Sequence, residues 1–156
     1  MAFTPEEEKF RQIISDYGWH VMQVRNREEE TGPTFSYSTG LWENFNHPEI
    51  IIFGLSGELE HSIINNIGED VKSIKITFKS NSYYYCFLEC FKVFIIESQE
   101  PVKREYVTWA DWYYNREDFP VLQCVWPTTN SIWPWDKDAD EEFLKIQPLL
   151  SKNFTT

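Results

Sequence analysis

A chain of 156 residues with a hydrophobic share of 42% can bury one core, so it is expected to form a single domain. Its formal net charge of −11 argues against binding to nucleic acid and to anionic membrane surfaces, because both attract basic proteins. Three cysteines without a CxxC pair, no signal peptide and no apolar run of membrane-spanning length predict a cytoplasmic protein with reduced thiols.

The first predicted element is a helix that begins after Thr4 and ends at Gly18. The segment Thr4-Pro5-Glu6-Glu7 supplies a capping hydroxyl, a first-turn proline and the acid of a capping box. The apolar stripe of this helix consists of Phe10, Ile13, Ile14 and Tyr17. Gly18 is suited to the left-handed conformation that commonly ends a helix.

A hairpin and a buried third strand are predicted next. Side chains alternate over Trp19–Arg25 and Thr34–Thr39, and the charged segment between them predicts a turn. The run Glu49–Leu55 is almost continuously apolar, which is typical of a strand buried on both faces. Such a strand needs a covering helix, and Ser56–Val71 supplies one through a stripe of leucine and isoleucine, with His61 near its polar side.

The second half of the chain is predicted to hold further strands and two helices. Alternating side chains predict a strand over Ile74–Phe78, and the aromatic run Tyr83–Ile96 predicts one long strand or a bent pair. Pro101–Asn115 has apolar residues at helical spacing. Phe119–Trp126 predicts a strand, and Asp138–Leu150 predicts a final helix.

Together these elements predict an α+β fold with a largely antiparallel sheet. An N-terminal, a central and a C-terminal helix are expected to pack on that sheet. One domain is predicted over residues 1–151, followed by a frayed tail at residues 152–156.

The segment between the second and third predicted strands concentrates side chains that could do chemistry. His47 with Glu43 or Glu49 could form an acid–base pair, because a nearby carboxylate orients an imidazole and raises its pKa. Together with Tyr37 and Trp42, these residues would line a pocket for a small ligand or a substrate. The alternative is structural: the Asn-His-Pro sequence forms a turn, and the glutamate after it begins a strand.

A later segment is rich in tryptophan and proline. Trp126, Trp133 and Trp135 each neighbour a proline, which predicts a stiff aromatic surface of the kind that binding hot spots use. An acidic cluster follows, formed by Asp136, Asp138, Asp140, Glu141 and Glu142. Two structural alternatives remain open: the rings could cover the open end of the sheet, and the acids could stabilise a helix N-terminus.

No metal, cofactor or catalytic residue is predicted. The three histidines lack the spacing of a zinc site, and the sequence contains neither a glycine-rich phosphate loop nor a nucleophile elbow. Cys86, Cys90 and Cys124 are interpreted as small core residues, because no base is obviously supplied beside any of them.

Several motifs together resemble a bacterial family, the domain of unknown function DUF4262. They are YGW near the end of the first predicted helix, FSYSTGL, HPEIIIFGL, and FPVLQCVWP followed by WPWD. In the family pattern an acidic residue follows the late Trp-Pro and a glycine precedes a Phe-Pro-Trp, whereas Thr128, Ser131 and Trp133 stand near those places here. The resemblance covers most of the chain, from Ile13 to Leu150, and implies a small bacterial cytoplasmic α+β domain without established catalytic residues.

The strong acidity, the small size and the lack of a catalytic signature favour a protein-binding module. Its most concrete form is an immunity protein that neutralises a basic toxin domain, such as a nuclease, by 1:1 binding. The alternative is a small-ligand-binding protein or an enzyme with its pocket around His47 and the Trp126–Trp135 segment. The chain is expected to be a monomer or a weak homodimer, because an uncovered aromatic strand over Tyr83–Phe94 could pair with a second copy.

Overall fold

The computed structural model describes residues 2–25, 32–85, 92–98 and 105–151. The helices of this part are α1 (Pro5–Tyr17), α2 (Leu41–Phe45), α3 (Gly57–Lys72), α4 (Thr108–Tyr113) and α5 (Glu141–Ile146). The strands are β1 (His20–Val24), β2 (Phe35–Thr39), β3 (Glu49–Phe53), β4 (Ser82–Tyr85), β5 (Lys92–Glu97) and β6 (Val121–Val125). The predicted α+β class is confirmed, since helices pack on both faces of one sheet.

The six strands form this sheet in the order β1-β2-β3-β6-β5-β4. Neighbouring strands are antiparallel except β3 and β6, which run parallel. Because β1 and β4 stand at the two ends of the order, each has one edge without a partner strand among the described residues.

The N-terminal helix and the hairpin after it are confirmed. Thr4 and Glu7 form a capping box: Thr4 Oγ1 accepts from Glu7 N at 3.1 Å, and the Glu7 carboxylate accepts from Thr4 N at 2.8 Å. Gly18 ends α1 at a φ of +102°. β1 then pairs with β2 so that Met22 lies opposite Tyr37.

The core lies on both faces of the sheet. On one face, Ile63, Ile64 and Ile67 of α3 form a cluster with Ile50 and Ile52 of β3. On the other face, α4 covers β2, β3 and the start of β6, and segment 133–135 covers β5 and the end of β6. β3 is therefore buried on both faces, as its apolar sequence predicts.

The predicted strand over Ile74–Phe78 is wrong. Ile74 instead closes the C-terminus of α3, where its N–H donates to Val71 O at 3.1 Å and the Lys75 N–H donates to Asp70 O at 3.0 Å. This turn places Ile74 at a φ of +57° and leaves the residue 89% exposed. The hydrogen bonds that end the helix thus override the alternating pattern, and Phe78 is buried without belonging to a strand.

The last helix is shorter than predicted. The Asp140 side chain accepts from Phe143 N at 2.8 Å and caps α5, which begins at Glu141 instead of the expected Asp138. Pro148 follows its end, and Ile146 is exposed. The tail at 152–156 lies outside the described residues.

Two further predictions fall partly outside the described residues. The aromatic run over residues 83–96 forms β4 and β5, which pair antiparallel, and residues 86–91 between them lie outside the described part. The predicted helix over 101–115 is the shorter α4, and residues 101–104 likewise lie outside it.

Cys124 lies in the core, as predicted. It is fully buried, and this burial raises the pKa of its thiol to about 12, so the thiol stays protonated. Cys86 and Cys90 fall outside the described residues. Within the described ranges, no helix combines the length and the apolar character needed to cross a bilayer.

Candidate functional site

The segment that joins β2 to β3 is organised by one carboxylate, that of Glu49. Glu49 begins β3 and is fully buried beside the N-terminus of α2. The donors to its two oxygens are Ser38 Oγ (2.7 Å), Gly40 N (2.9 Å), Leu41 N (3.2 Å), Trp42 N (3.2 Å) and the Tyr114 hydroxyl. This fully buried carboxylate therefore holds the loop in place through five hydrogen bonds.

Burial and hydrogen bonding act in opposite directions on the pKa of Glu49. Burial is the larger effect and raises the pKa, because removal from water disfavours the charged form. The hydrogen bonds from Tyr114, Ser38 and the backbone N–H groups favour the carboxylate and lower the pKa. These donors thus offset part of the desolvation of a buried acid.

Gly40 allows the backbone to approach this carboxylate. Its φ is +119°, and a methyl group at this position would lie 2.5 Å from Gly18 O and 2.9 Å from Trp19 Cα. A side chain does not fit there, so the chain needs glycine where it turns from β2 into α2.

His47 has a structural position. It is buried, its Nδ1 lies 2.8 Å from Pro48 O, and its Nε2 accepts from Phe78 N at 3.0 Å. Burial lowers its pKa, which favours the neutral ring with the proton on Nδ1. Both ring nitrogens are therefore bonded to the backbone, and the alternative acid–base pair with Glu43 or Glu49 is not formed.

The other residues of the alternative pocket, Tyr37, Trp42 and Glu43, have their side-chain contacts in different parts of the structure. The Tyr37 side chain is buried under α4, where its hydroxyl accepts from Trp109 N at 3.0 Å. Trp42 is half-buried against the same cluster. Glu43 is exposed and accepts a hydrogen bond from the Tyr113 hydroxyl. The structure therefore brings these residues near one loop without forming one pocket from them.

Trp126 is a core residue, so its predicted place on a partner-binding surface is wrong. It is 8% exposed, and its indole N–H donates to Phe53 O at 2.7 Å. Its backbone N–H donates to Gln147 Oε1 at 3.0 Å, and its carbonyl accepts from Gln147 Nε2 at 2.9 Å. The ring also packs edge-on against Phe143.

Trp133 and Trp135 lie at the surface and are half-buried. Their rings are stacked, with centroids 5.3 Å apart and planes within 6°. Trp135 contacts Phe94 of β5 at 5.4 Å between centroids, and Trp133 contacts Tyr83 of β4 at 5.5 Å. The pair covers the sheet with one side, as the structural alternative predicts, and is exposed to solvent on the other side, while its role in binding stays a prediction.

Exposed tyrosines continue this surface along the edge strand. Tyr83 and Tyr85 are 46% and 67% exposed and lie on the same face of β4. The ammonium of Lys92 lies 4.0 Å from the Tyr83 ring centroid and 5.7 Å from that of Tyr85.

Exposed carboxylates follow the tryptophans in the sequence. Asp136 accepts from Trp133 N at 2.8 Å and so fixes the turn, and Asp140 caps α5. The side chains of Asp136, Asp138, Asp140 and Glu141 are all exposed. We define the aromatic–acidic surface as Tyr83, Tyr85, Trp133, Trp135, Asp136, Asp138, Asp140 and Glu141.

Sequence reasoning missed a second buried carboxylate. Glu60 of α3 is fully buried and accepts from Ser36 Oγ at 2.8 Å, from Leu55 N at 3.0 Å and from the guanidinium of Arg25. The available signal was its spacing, since Glu60 lies three and four residues before the buried Ile63 and Ile64. This carboxylate joins α3 to β2 and to Arg25, the residue that follows β1.

A family model described as a domain of unknown function, DUF4262, matches residues 13–140 of the chain. That range contains the loop around Glu49 and nearly all of the aromatic–acidic surface. No curated protein and no solved structure matches the chain.

Proposed function

The chain belongs to the DUF4262 family, whose description assigns no function, and we propose that it is an acidic protein-binding module. In its most concrete form it neutralises a basic toxin domain, such as a nuclease, by 1:1 binding in the cytoplasm. The observation that supports this proposal is the aromatic–acidic surface, which combines two stacked tryptophans, exposed tyrosines on β4 and the exposed carboxylates that follow the tryptophans in the sequence.

The aromatic part of the surface has the properties of a binding hot spot. Trp133 is held by its backbone bond to Asp136 and by its parallel contact with Trp135, so little side-chain entropy remains to be lost on binding. Tyr83 and Tyr85 add exposed ring area next to it. Rigid, exposed aromatic side chains of this kind are enriched where proteins bind each other.

The acidic part of the surface determines the kind of partner. Its four carboxylates lie in one short segment, and the whole chain carries a formal net charge of −11. Such a field attracts a basic protein and repels an acidic one. The association rate is therefore expected to fall as the salt concentration rises.

The first experiment captures the partner. The tagged protein is incubated with a lysate of its source cells at low salt, and bound proteins are eluted with rising salt and identified by mass spectrometry. A basic protein that then binds the purified chain at 1:1 stoichiometry in light scattering, and loses its own activity on binding, supports the proposal. Recovery of acidic proteins alone, or of none, contradicts it.

A matched pair of tyrosines tests the location. Tyr85 is 67% exposed within the surface, whereas Tyr17 is 66% exposed at the end of α1. Tyr85→Ala and Trp133→Ala are expected to weaken partner binding at least tenfold, and Tyr17→Ala is expected to leave it unchanged. Equal losses for Tyr85→Ala and Tyr17→Ala would place the contact elsewhere.

A further inference from the structure

The exposed tyrosine rings of β4 already contact a cationic side chain of the same protein, that of Lys92. Lys92 of β5 is paired with Tyr85, and Tyr83 is paired with Phe94, so the lysine and both tyrosines lie on one face. The ammonium lies within about 6 Å of both ring centroids, the range in which a cation is attracted to the ring face. Both tyrosines nevertheless remain largely exposed, so the lysine covers only part of this face.

We propose that this face binds an arginine side chain of the protein partner and that Lys92 is the internal competitor for that arginine. The inference rests on the proposed function, because it names the partner's contact residue at the same surface. A guanidinium is planar and more weakly hydrated than an ammonium, so it stacks on aromatic rings more readily than lysine does. An incoming arginine can therefore displace Lys92 from the tyrosines.

The carboxylates that balance the arginine charge belong to the same surface. Tyr83 contacts Trp133, and the backbone of Trp133 is held by the carboxylate of Asp136. Asp136 and Asp138 are exposed. Asp136 is thus linked to the tyrosine face through Trp133, and the carboxylates of this segment attract the arginine charge over a longer distance.

Lys92 is expected to lower the affinity for arginine by a measurable amount. A cation on an exposed aromatic face contributes an attraction that corresponds to roughly a two- to fivefold change in a dissociation constant. Removal of the lysine side-chain charge frees the rings and should tighten arginine binding by about that factor.

The test uses the full chain and synthetic peptides in which glycine alternates with arginine, lysine or uncharged citrulline. Binding is followed by NMR through the indole N–H signals of ¹⁵N-labelled protein. The arginine peptide is expected to bind more tightly than the lysine peptide and to shift the signals of Trp133 and Trp135. Equal binding of the arginine and citrulline peptides would overturn the proposal.

A matched charge change separates competition from general electrostatics. Lys92→Met and Lys137→Met each remove one positive charge near this surface, but Lys137 lies in the acidic segment after Trp135 and has no described contact with a tyrosine ring. Lys92→Met is expected to tighten binding of the arginine peptide roughly two- to fivefold more than Lys137→Met does. Equal effects of the two variants would show that Lys92 is not a competitor.

The same variants distinguish this inference from the proposed function. If a basic partner binds and Trp133→Ala abolishes its binding, but Lys92→Met behaves like Lys137→Met, the protein-binding function stands and the arginine inference fails. If the arginine peptide binds in the expected way but the lysate yields no basic partner, the proposed function fails. Tyr85→Leu provides a further check, because it removes an exposed ring and should weaken arginine binding without loss of the fold.

Discussion

The hydroxyl of Tyr114 donates a hydrogen bond to the carboxylate of Glu49, which lies 65 residues earlier in the chain. The same hydroxyl accepts from Gly40 N at 3.1 Å and from Glu43 N at 3.3 Å. The end of α4 is thereby joined to the start of β3 and to the first turn of α2. Burial and the nearby carboxylate both raise the pKa of Tyr114, so its hydroxyl keeps its proton and remains a donor.

Removal of this hydroxyl is expected to destabilise the protein, and the neighbouring tyrosine provides the control. Tyr114→Phe takes one donor from a buried carboxylate and should lower the free energy of unfolding by about 1.5 to 3 kcal/mol. Tyr113→Phe removes the bond to the exposed Glu43 and should lower it by less than about 1 kcal/mol. Urea unfolding followed by tryptophan fluorescence measures both, and equal losses would contradict the structural role of Glu49.

A comparison of Gly→Ala at two glycines with the same φ distinguishes the cost of steric conflict from the cost of backbone strain. Gly40 and Gly32 both have a φ of +119°, but a methyl group at Gly32 would have no heavy atom within 4 Å, whereas one at Gly40 would meet Gly18 O at 2.5 Å. Gly32→Ala should therefore lower the free energy of unfolding by about 1 kcal/mol. Gly40→Ala should lower it by more than about 3 kcal/mol or prevent folding, because the backbone at Gly18 must move to make room for the added methyl group. Similar values for the two variants would show that the loop tolerates a side chain.

Stability is expected to depend on pH through the half-buried His20 and the buried His47. Burial is the main cause that lowers the pKa of His20 to about 4, from 6.5 when unfolded, and it also lowers the pKa of His47. Between pH 6.5 and about 4 the unfolded chain binds more protons than the folded one, so these histidines make the folded state less stable as the pH falls. Burial raises the pKa of Glu49 and of Glu60, which acts in the opposite direction.

The contribution of His20 is obtained by comparison with a variant. His20 packs against Phe10 with ring centroids 4.5 Å apart, so His20→Phe keeps a ring at this place. The decrease in the free energy of unfolding from pH 7 to pH 5, measured by urea unfolding, should be smaller in His20→Phe than in the wild type. The same decrease in both proteins would mean that His20 does not stay neutral in the folded state.

The sequence predicts those elements of the fold that local hydrogen bonds and burial favour together. The capping box of Thr4 and Glu7 and the doubly buried run of β3 are such cases. Ile74 is the opposite case, because a turn that ends α3 and an alternating pattern compete for the same residues and the turn prevails. Asp140 similarly caps α5 although the helical pattern begins two residues earlier.

The site was less predictable, because it depends on contacts between distant residues. The partners of His47 are its neighbour Pro48 and the backbone of Phe78, 31 residues away, so its chemistry could not be derived from the adjacent glutamates. The buried Glu60 likewise bonds to Arg25, which lies 35 residues earlier in the chain. Trp126 and Trp133 have similar local sequences, since a proline follows each, and contacts of Trp126 with Phe53 and Phe143, which are distant in sequence, distinguish them.

The difference between Trp126 and Trp133 gives a prediction about stability and binding. Trp126→Ala opens a cavity against Phe143 and leaves Phe53 O without its donor, so it should lower the free energy of unfolding by about 3 to 5 kcal/mol. Trp133→Ala exposes the side of Trp135 at the surface and should lower it by less than about 1.5 kcal/mol.

Partner binding should respond to these two substitutions in the reverse order. The Trp126 side chain is buried and cannot contact a partner, whereas the Trp133 side chain is partly exposed and can. Binding is therefore compared at low temperature, where both variants are folded. Calorimetric titration with the captured partner, together with urea unfolding, measures both quantities. A loss of binding in folded Trp126→Ala equal to that in Trp133→Ala would contradict the assignment of Trp133 to the contact surface.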